Sequence, residues 1–186
     1  MRSASHARTI GQDEAVATID ELSEDDWARL AAIRLRALEQ DQAAFGSSLE
    51  RERGFGERHW RMRLRSSVWL VLGEPGRDVG VVCLIEEPGA PRDERHVVSL
   101  WVDPERRGRG YGHALLDAAT ARAAELGGVR LTLWAIDANH AATALYRRAG
   151  FVATGVTMPL PRDPRLTEHR WEKPVGSETL GAPPPP

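Results

Sequence analysis

The chain has 186 residues, a length typical of one domain with room for a sizeable buried core. Its 25 basic and 27 acidic residues nearly cancel, which argues against a broad nucleic-acid or membrane footprint. A single cysteine, Cys83, lies in an apolar run; it excludes an intramolecular disulfide and gives no metal cluster. No apolar run approaches the roughly 20 residues of a membrane span, and the start of the chain lacks the apolar core of a signal peptide. We therefore expect a cytoplasmic protein without a metal.

The first half of the chain predicts an α/β pattern after a polar start. Residues 1–14 are small and polar, and we expect a disordered leader there. The elements predicted after it are a strand over 15–20, an amphipathic helix from Ser23 to Asp41, a broken segment over 42–56, a helix over 57–66, and strands over 68–72 and 79–86 that form a hairpin.

The second half predicts a buried strand, a glycine-rich turn and a helix, followed by further alternation. The strand covers 95–102 and ends at Asp103 and Pro104, because proline has no N–H to give to a sheet. A helix over 110–126 leads to the next strand, which implies a right-handed parallel crossover. The remaining predicted elements are a strand over 129–135, a helix over 141–149, a strand over 151–157, a proline-rich loop over 158–164, a last strand over 165–173 and a disordered tail over 174–186.

The turn between the buried strand and the helix has the composition of an anion site. Gly108, Gly110 and Gly112 stand at alternate positions, so a ligand can approach the backbone closely. The first turn of a helix leaves N–H groups unpaired, and the helix dipole adds partial positive charge. A P-loop is excluded because no Lys-Ser/Thr pair follows the second glycine. A dinucleotide fingerprint is excluded because its third glycine would fall on His113.

Two segments resemble signatures of one enzyme family. Read as R-x-x-G-x-G after a Val-Asp-Pro strand end, Arg107 to Gly112 resembles the acyl-CoA pyrophosphate loop of the GNAT N-acetyltransferase superfamily. Asn139 to Phe151 (NHAATALYRRAGF) resembles the second GNAT signature, N-x-x-A-x-x-L-Y-x-x-x-G-F, at every fixed position. The resemblance covers roughly 15–173 and implies one GNAT domain there. Its fold would be α/β, with a mixed, mostly antiparallel sheet, a splayed central strand pair and helices on both faces.

The resemblance implies that acetyl-CoA is the co-substrate and that no metal is needed. The pantetheine arm would pair with the end of the central strand like an added strand, and amides from Gly108 to His113 would hold the pyrophosphate. Asn139 is either a ligand of the cofactor or only a helix N-cap. The arginines around the glycines are either phosphate contacts or a solvated charge run. The implied cofactor-binding residues are Leu100, Trp101, Val102, Arg107, Gly108, Arg109, Gly110, Tyr111, Gly112, His113, Asn139 and Tyr146.

The chemistry needs a proton donor near the thioester sulfur and a proton acceptor near the amine. The resemblance implies that Tyr146 is the donor. With a Tyr pKa of about 10 and a thiol pKa of about 8.5, full proton transfer is uphill by roughly 2 kcal/mol, so hydrogen bonding to the thiolate is the milder role. Many relatives carry a carboxylate eight residues before the strand-ending proline, where this chain has His96. His96, Glu94 or Glu86 is the candidate base; a chain of waters and a plain strand-edge role for His96 stay open.

The sequence does not determine the acceptor of the acetyl group. The resemblance implies a primary amine, either on a small molecule or on a protein N-terminus or lysine. Phe45 and Trp60 are either core anchors or part of an acceptor wall. A non-catalytic acyl-CoA-binding sensor is the alternative of another class. We expect no nucleic-acid or membrane partner, and family members are often homodimers.

Overall fold

The computed structural model describes residues 17–160 and 163–175 of the chain. The leader predicted for 1–14 and the tail after Val175 lie outside the described residues. The described residues form seven strands, namely β1 (Thr18–Glu21), β2 (Val68–Glu74), β3 (Arg77–Ile85), β4 (Glu94–Val102), β5 (Arg130–Ile136), β6 (Val152–Leu160) and β7 (Asp163–Pro174). They also form five α-helices, namely α1 (Trp27–Asp41), α2 (Leu49–Arg53), α3 (Glu57–Ser66), α4 (Tyr111–Glu125) and α5 (His140–Arg148).

The strands form one sheet in the order β1-β2-β3-β4-β5-β7-β6. Within the described sheet, β4 and β5 pair in parallel and every other neighbouring pair is antiparallel. A parallel pair needs a crossover connection, and α4 supplies it. The mixed, mostly antiparallel sheet implied by the resemblance is therefore confirmed. None of the helices in the two described ranges is both long and apolar enough to cross a bilayer.

The central strand pair is forked. The parallel register between β4 and β5 begins at Glu94 opposite Arg130 and stops at His96 opposite Thr132. Both strands continue past that point, β4 to Val102 and β5 to Ile136. The two strands are thus joined at one end and diverge at the other, which is the splayed pair that the resemblance implies.

A β-bulge bends β4 just past the fork. Cys83 of β3 pairs with Val98, but Val81 pairs with Trp101, so β4 contains one residue more than β3 over this stretch. Ser99 lies in the bulge with a φ of 60°, in the left-handed region that residues other than glycine rarely adopt. The backbone on either side of Ser99 is thereby redirected where the two strands diverge.

Two apolar layers cover the two faces of the sheet. On one face, α4 and α5 pack against the strands, with Leu115 fully buried. On the other face, α1 and α3 pack around Ile33 and Trp60. Side chains alternate between the layers along β2, so Leu70 belongs to the first layer and Val71 to the second.

The structure differs from the sequence prediction at α2 and along β6. Helix α2 lies inside the segment predicted to be broken, where the Ser48 side chain accepts a hydrogen bond from the Arg51 amide (3.2 Å) and caps the helix. The predicted proline-rich loop over 158–164 is wrong at its described residues. Met158 pairs with Glu168 and Pro159 with Thr167, so these residues extend β6 along β7. In the described sheet β6 is an edge strand, and edge strands accommodate proline.

The last strand packs beyond its predicted end at Lys173. Strand β7 reaches Pro174, and Val175 is buried against the first apolar layer. The Val175 amide donates to the carbonyl of Val129 (2.9 Å), which continues the contact between β7 and β5 past the last paired residues, Pro174 and Arg130.

Leu131 of β5 and Val129, the residue just before that strand, provide a test of this packing. Leu131 is fully buried, whereas Val129 is 55% exposed. We expect Leu131→Ala to lower the free energy of unfolding by about 2–5 kcal/mol because it leaves a cavity in the core. The matched control, Val129→Ala, should change it by about 0.5 kcal/mol or less. Urea unfolding followed by circular dichroism measures both, and equal losses in the two variants would contradict the difference in burial between Leu131 and Val129.

Candidate active site at the fork of the sheet

A cavity of about 820 Å³ opens where β4 and β5 diverge. Its walls come from the end of β4, the glycine turn, the first residues of α4, the end of β5, α5 and the segment after α1. All of the predicted cofactor-binding residues line it except Arg109. The two sequence signatures therefore meet on one surface, although they are separate in the chain.

The three glycines of the turn are needed for different structural reasons. Gly108 and Gly110 have φ values of 79° and 82°, a conformation that side chains make costly, and no atom lies within 4 Å of where a Cβ would stand. Gly110 is the N-cap residue of α4, so the unpaired amides of that helix begin at the cavity. Gly112 instead permits close packing, because a Cβ there would lie 2.9 Å from Leu145 of α5.

One acidic residue ties the start of α4 to the hairpin of β2 and β3. Glu74, the last residue of β2, accepts hydrogen bonds from Arg106 Nε (2.9 Å) and from the Tyr111 hydroxyl (2.8 Å). Burial acts to raise the pKa of the Glu74 carboxyl, but these hydrogen bonds outweigh it and lower the pKa. Arg106 therefore lines the cavity with its charge already paired.

Arg107 links the glycine turn to the end of α1. Its Nε donates to the carbonyl of Val102 (3.1 Å), and its Nη2 donates to the Asp41 carboxylate (2.5 Å). The same Asp41 oxygen accepts from Trp101 Nε1 (2.7 Å). Asp41 and Arg107 both line the cavity, so this contact places opposite charges on neighbouring parts of the wall.

The second signature supplies a phenol and a capping amide. Tyr146 lies on α5, lines the cavity and packs edge-on against Phe151. Burial raises the pKa of the Tyr146 phenol to about 12. Asn139 caps α5, since its side-chain oxygen accepts from the Ala142 amide (3.1 Å), and it lines the cavity as well.

The predicted base candidates lie at the closed end of the fork, outside the cavity lining. His96 is buried, and its Nδ1 lies 2.8 Å from the Thr132 hydroxyl. Burial lowers the pKa of the His96 imidazole, so the ring is neutral at pH 7. Glu94 is buried, pairs with Arg170 and accepts from Thr132. Glu86 is largely exposed and forms an ion pair with Arg95 of β4.

Several lining residues were missed by the sequence reasoning. Trp134 lines the cavity, and its Nε1 donates to Glu87 Oε1 (3.1 Å), which connects the cavity wall to the polar cluster at the closed end. Leu160 and Glu168 reach the cavity from β6 and β7. The available signal for Trp134 was its place near the end of a strand next to a predicted parallel partner. Glu168 gave no such signal, because its position depends on the pairing of β7 with β5.

A protein-family model described as the acetyltransferase (GNAT) family matches residues 27–151. The chain is 40% identical over 86 residues to a mycothiol acetyltransferase of Propionibacterium freudenreichii subsp. shermanii, a match that covers 45% of this chain and 27% of that protein. It is 30% identical over 88 residues to the peptidyl-lysine N-acetyltransferase YjaB of Escherichia coli, covering 47% of this chain and 51% of that protein. The chain thus spans about half or less of the lengths of these two relatives.

A solved structure, that of yncA from Salmonella typhimurium with its cofactor acetyl-CoA, shares the fold with a TM-score of 0.70. The match covers 89% of this chain and 98% of that chain at 19% sequence identity, so the likeness concerns the fold alone. The family model covers more than half of the chain and includes the glycine turn, α4 and α5. On this ground the chain belongs to the GNAT acetyltransferase family.

Proposed function

We propose that the protein is an acetyl-CoA-dependent N-acetyltransferase that acts on a primary amine of a small molecule. One observation carries the proposal. A single cavity joins the glycine turn at the N-terminus of α4 to the open end of the fork, and Tyr146 lies on its wall. An anion site, a slot for an extended arm and an acid group thus occur on one continuous surface.

The shape and charge of the cavity fit acetyl-CoA. The amides at the start of α4, with Gly108 and Gly110 leaving the backbone open, would bind the pyrophosphate. Because the ladder with β5 stops at His96, the β5 side of Leu100 and Val102 faces the gap, where the pantetheine arm would pair like an added strand. The volume of about 820 Å³ lies within the range of roughly 300–1,000 Å³ typical of ligand sites.

Tyr146 would assist the departure of the thiolate. The neutral amine attacks the thioester carbon, a C–N bond forms, and the C–S bond of the tetrahedral intermediate breaks. With the phenol pKa at about 12 and a thiol pKa of about 8.5, complete proton transfer from Tyr146 is uphill by about 5 kcal/mol. We therefore assign Tyr146 a hydrogen bond to the sulfur as negative charge develops there.

The amine proton would leave through water. His96 and Glu94 lie outside the residues that line the cavity, and their polar atoms contact Thr132 and Arg170 at the closed end of the fork. This arrangement supports the water route over direct transfer to either side chain. Glu168 lines the cavity, and its carboxylate would add negative potential where a cationic amine approaches.

The acceptor class is the finer part of the proposal. Mycothiol acetyltransferase and peptidyl-lysine N-acetyltransferase are both among the relatives, and they represent a small-molecule and a protein acceptor. The wall formed by Phe45 and Trp134 supports the small molecule, because aromatic side chains can enclose a small aliphatic amine on several sides. Peptide acceptors are the alternative, and a non-catalytic acyl-CoA sensor is the alternative of another class.

Release of free CoA thiol from acetyl-CoA, across a panel of small amines and peptides, tests the function. We expect turnover with a small primary amine and a loss of kcat on the order of 10²-fold in Tyr146→Phe, because the thiolate loses its hydrogen-bond donor. Calorimetry should show that the acetyl-CoA Kd of this variant stays within about threefold of wild type, since only one hydroxyl is removed.

Each other result of this panel has a clear meaning. Turnover with peptides alone would move the acceptor to the protein class. Tight acetyl-CoA binding without turnover on any acceptor would favour the sensor. Full turnover in Tyr146→Phe would remove the donor role, and no acetyl-CoA binding would overturn the assignment of the cavity.

The pH dependence of kcat provides a second test. The assigned role needs the protonated phenol, and a pKa of about 12 keeps Tyr146 protonated throughout the usual assay range. We expect kcat to rise with pH as the amine loses its proton and to show no decline up to about pH 10.5, because Tyr146 keeps its proton over that range. A stopped assay with a stable amine measures the profile. A decline that begins near pH 9 in wild type and is absent in Tyr146→Phe would contradict the raised pKa.

A pair of glycine variants tests the anion site. Gly110 and Gly76 have φ values of 82° and 78°, and neither has an atom within 4 Å of a Cβ position, but Gly76 lies in the β2–β3 turn, outside the cavity lining. Alanine at either position should cost about 1–2 kcal/mol of stability. Only Gly110→Ala should also raise the acetyl-CoA Kd, by about tenfold or more, because the turn that presents the amides is distorted. Equal Kd values for the two variants in calorimetry would argue against this site.

A further inference from the structure

A buried ion pair joins helices α1 and α2. Glu52 of α2 is fully buried and accepts two hydrogen bonds from Arg34 of α1, at 3.1 and 3.0 Å. Arg63 of α3 donates a third, at 3.0 Å. Burial acts to raise the pKa of the Glu52 carboxyl, but the hydrogen bonds from Arg34, Ser47 and Arg63 outweigh it and lower the pKa. The carboxylate is therefore ionised and bound to three segments.

The guanidinium of Arg34 contacts both walls of the cavity. Its Nη1 donates to the Ser99 hydroxyl (3.3 Å) in the bulge of β4. Its Cζ atom lies over the Phe45 ring, 4.4 Å from the ring centre. Phe45 lines the cavity from the segment after α1, and Leu100, the residue after Ser99, lines it from β4. One side chain thus sets the spacing between the two walls.

Stability alone gives a weak reason for this arrangement. Desolvation of two charges often costs as much as their attraction returns, so a buried ion pair is weak evidence for stability. Ser99 adds a left-handed φ of 60°, a strained conformation for a residue other than glycine that persists only where the surroundings hold it. A planar guanidinium can bind a carboxylate, a hydroxyl and an aromatic face at once, and a lysine cannot.

We propose that Arg34, held by Glu52, is a positioning residue for the acceptor side of the active site: it fixes Phe45 and the β4 bulge at the spacing the amine needs. The inference rests on the proposed function. Most of the proposed acetyl-CoA contacts lie in the glycine turn, which Arg34 does not touch, and only those of Leu100 and Val102 lie on a wall that it holds. Acetyl-CoA affinity should therefore depend on Arg34 much less than catalysis on the amine does. The amine enters between the two walls that Arg34 joins, so its KM and kcat should depend on Arg34 strongly.

The chain offers a matched control that joins the same two helices. Glu39 of α1 and Arg53 of α2 form an ion pair at 3.0 Å, and both side chains are about 60% exposed. Glu39→Gln removes a link between α1 and α2 without touching either wall. We expect no change in kinetics or exchange for this variant, because exposed ion pairs contribute little.

The experiment measures acetyl-CoA Kd by calorimetry and steady-state kinetics on the acceptor for Arg34→Lys, Ser99→Ala and Glu39→Gln. We expect Arg34→Lys to lower kcat/KM for the amine by about tenfold or more, since small misplacement of reacting groups is costly, while the acetyl-CoA Kd rises by about threefold or less. Ser99→Ala removes only the hydroxyl and should show the same direction at smaller size. If Arg34→Lys fails to fold, Ser99→Ala still tests the proposal.

Hydrogen exchange of the free protein decides the proposal without a known acceptor. Arg34→Lys should speed amide exchange in both 44–48 and 97–102 and leave α4 unchanged. Unchanged exchange at either wall, unchanged acceptor kinetics, or a parallel loss of acetyl-CoA affinity would overturn it. Absence of turnover in wild type would count against the proposed function, and the exchange result would still decide whether Arg34 joins the walls.

Discussion

The rest of the site depends on the early end of one parallel ladder. Strands β4 and β5 pair over three residues and then separate at His96 and Thr132. At that point His96 contacts Thr132, and Glu94 pairs with Arg170 of β7, so buried polar contacts tie three strands together at the closed end. Every backbone group that leaves a ladder must find another partner, and beyond the fork that partner is a ligand in the proposed function.

The open end of the fork leads directly into the glycine turn. Asp103 ends β4: its amide donates to the carbonyl of Val79 (2.8 Å), and its buried carboxylate accepts from the Glu105 amide and from Arg77. These bonds stop the strand and start the turn within a few residues. The edge of β4 and the glycine turn, to which the proposed function assigns the pantetheine arm and the pyrophosphate, are thus adjacent because one buried carboxylate fixes the bend between them.

The two faces of the sheet make different contributions to the cavity. Helices α4 and α5 pack closely enough that Gly112 has no room for a side chain next to Leu145, and this packing carries Tyr146 to the wall. On the opposite face, charged side chains make the connecting contacts. The ion pair of Arg34 and Glu52 joins α1, α2 and β4, and the Arg34 guanidinium also lies over the Phe45 ring. In the proposed function, the closely packed side binds the cofactor and the side joined by Arg34 receives the acceptor.

The sequence by itself determined most elements, the glycine turn and the second signature, because periodicity, capping and turn chemistry are local properties of the chain. It also indicated the parallel crossover, since one strand, one helix and one strand leave few arrangements. It did not determine the continuation of β6 through Pro159, the place of Glu168 on the cavity wall, or the separation of His96 from the lining. Those features depend on which residues face each other across strands distant in sequence, and only tertiary structure decides such pairings.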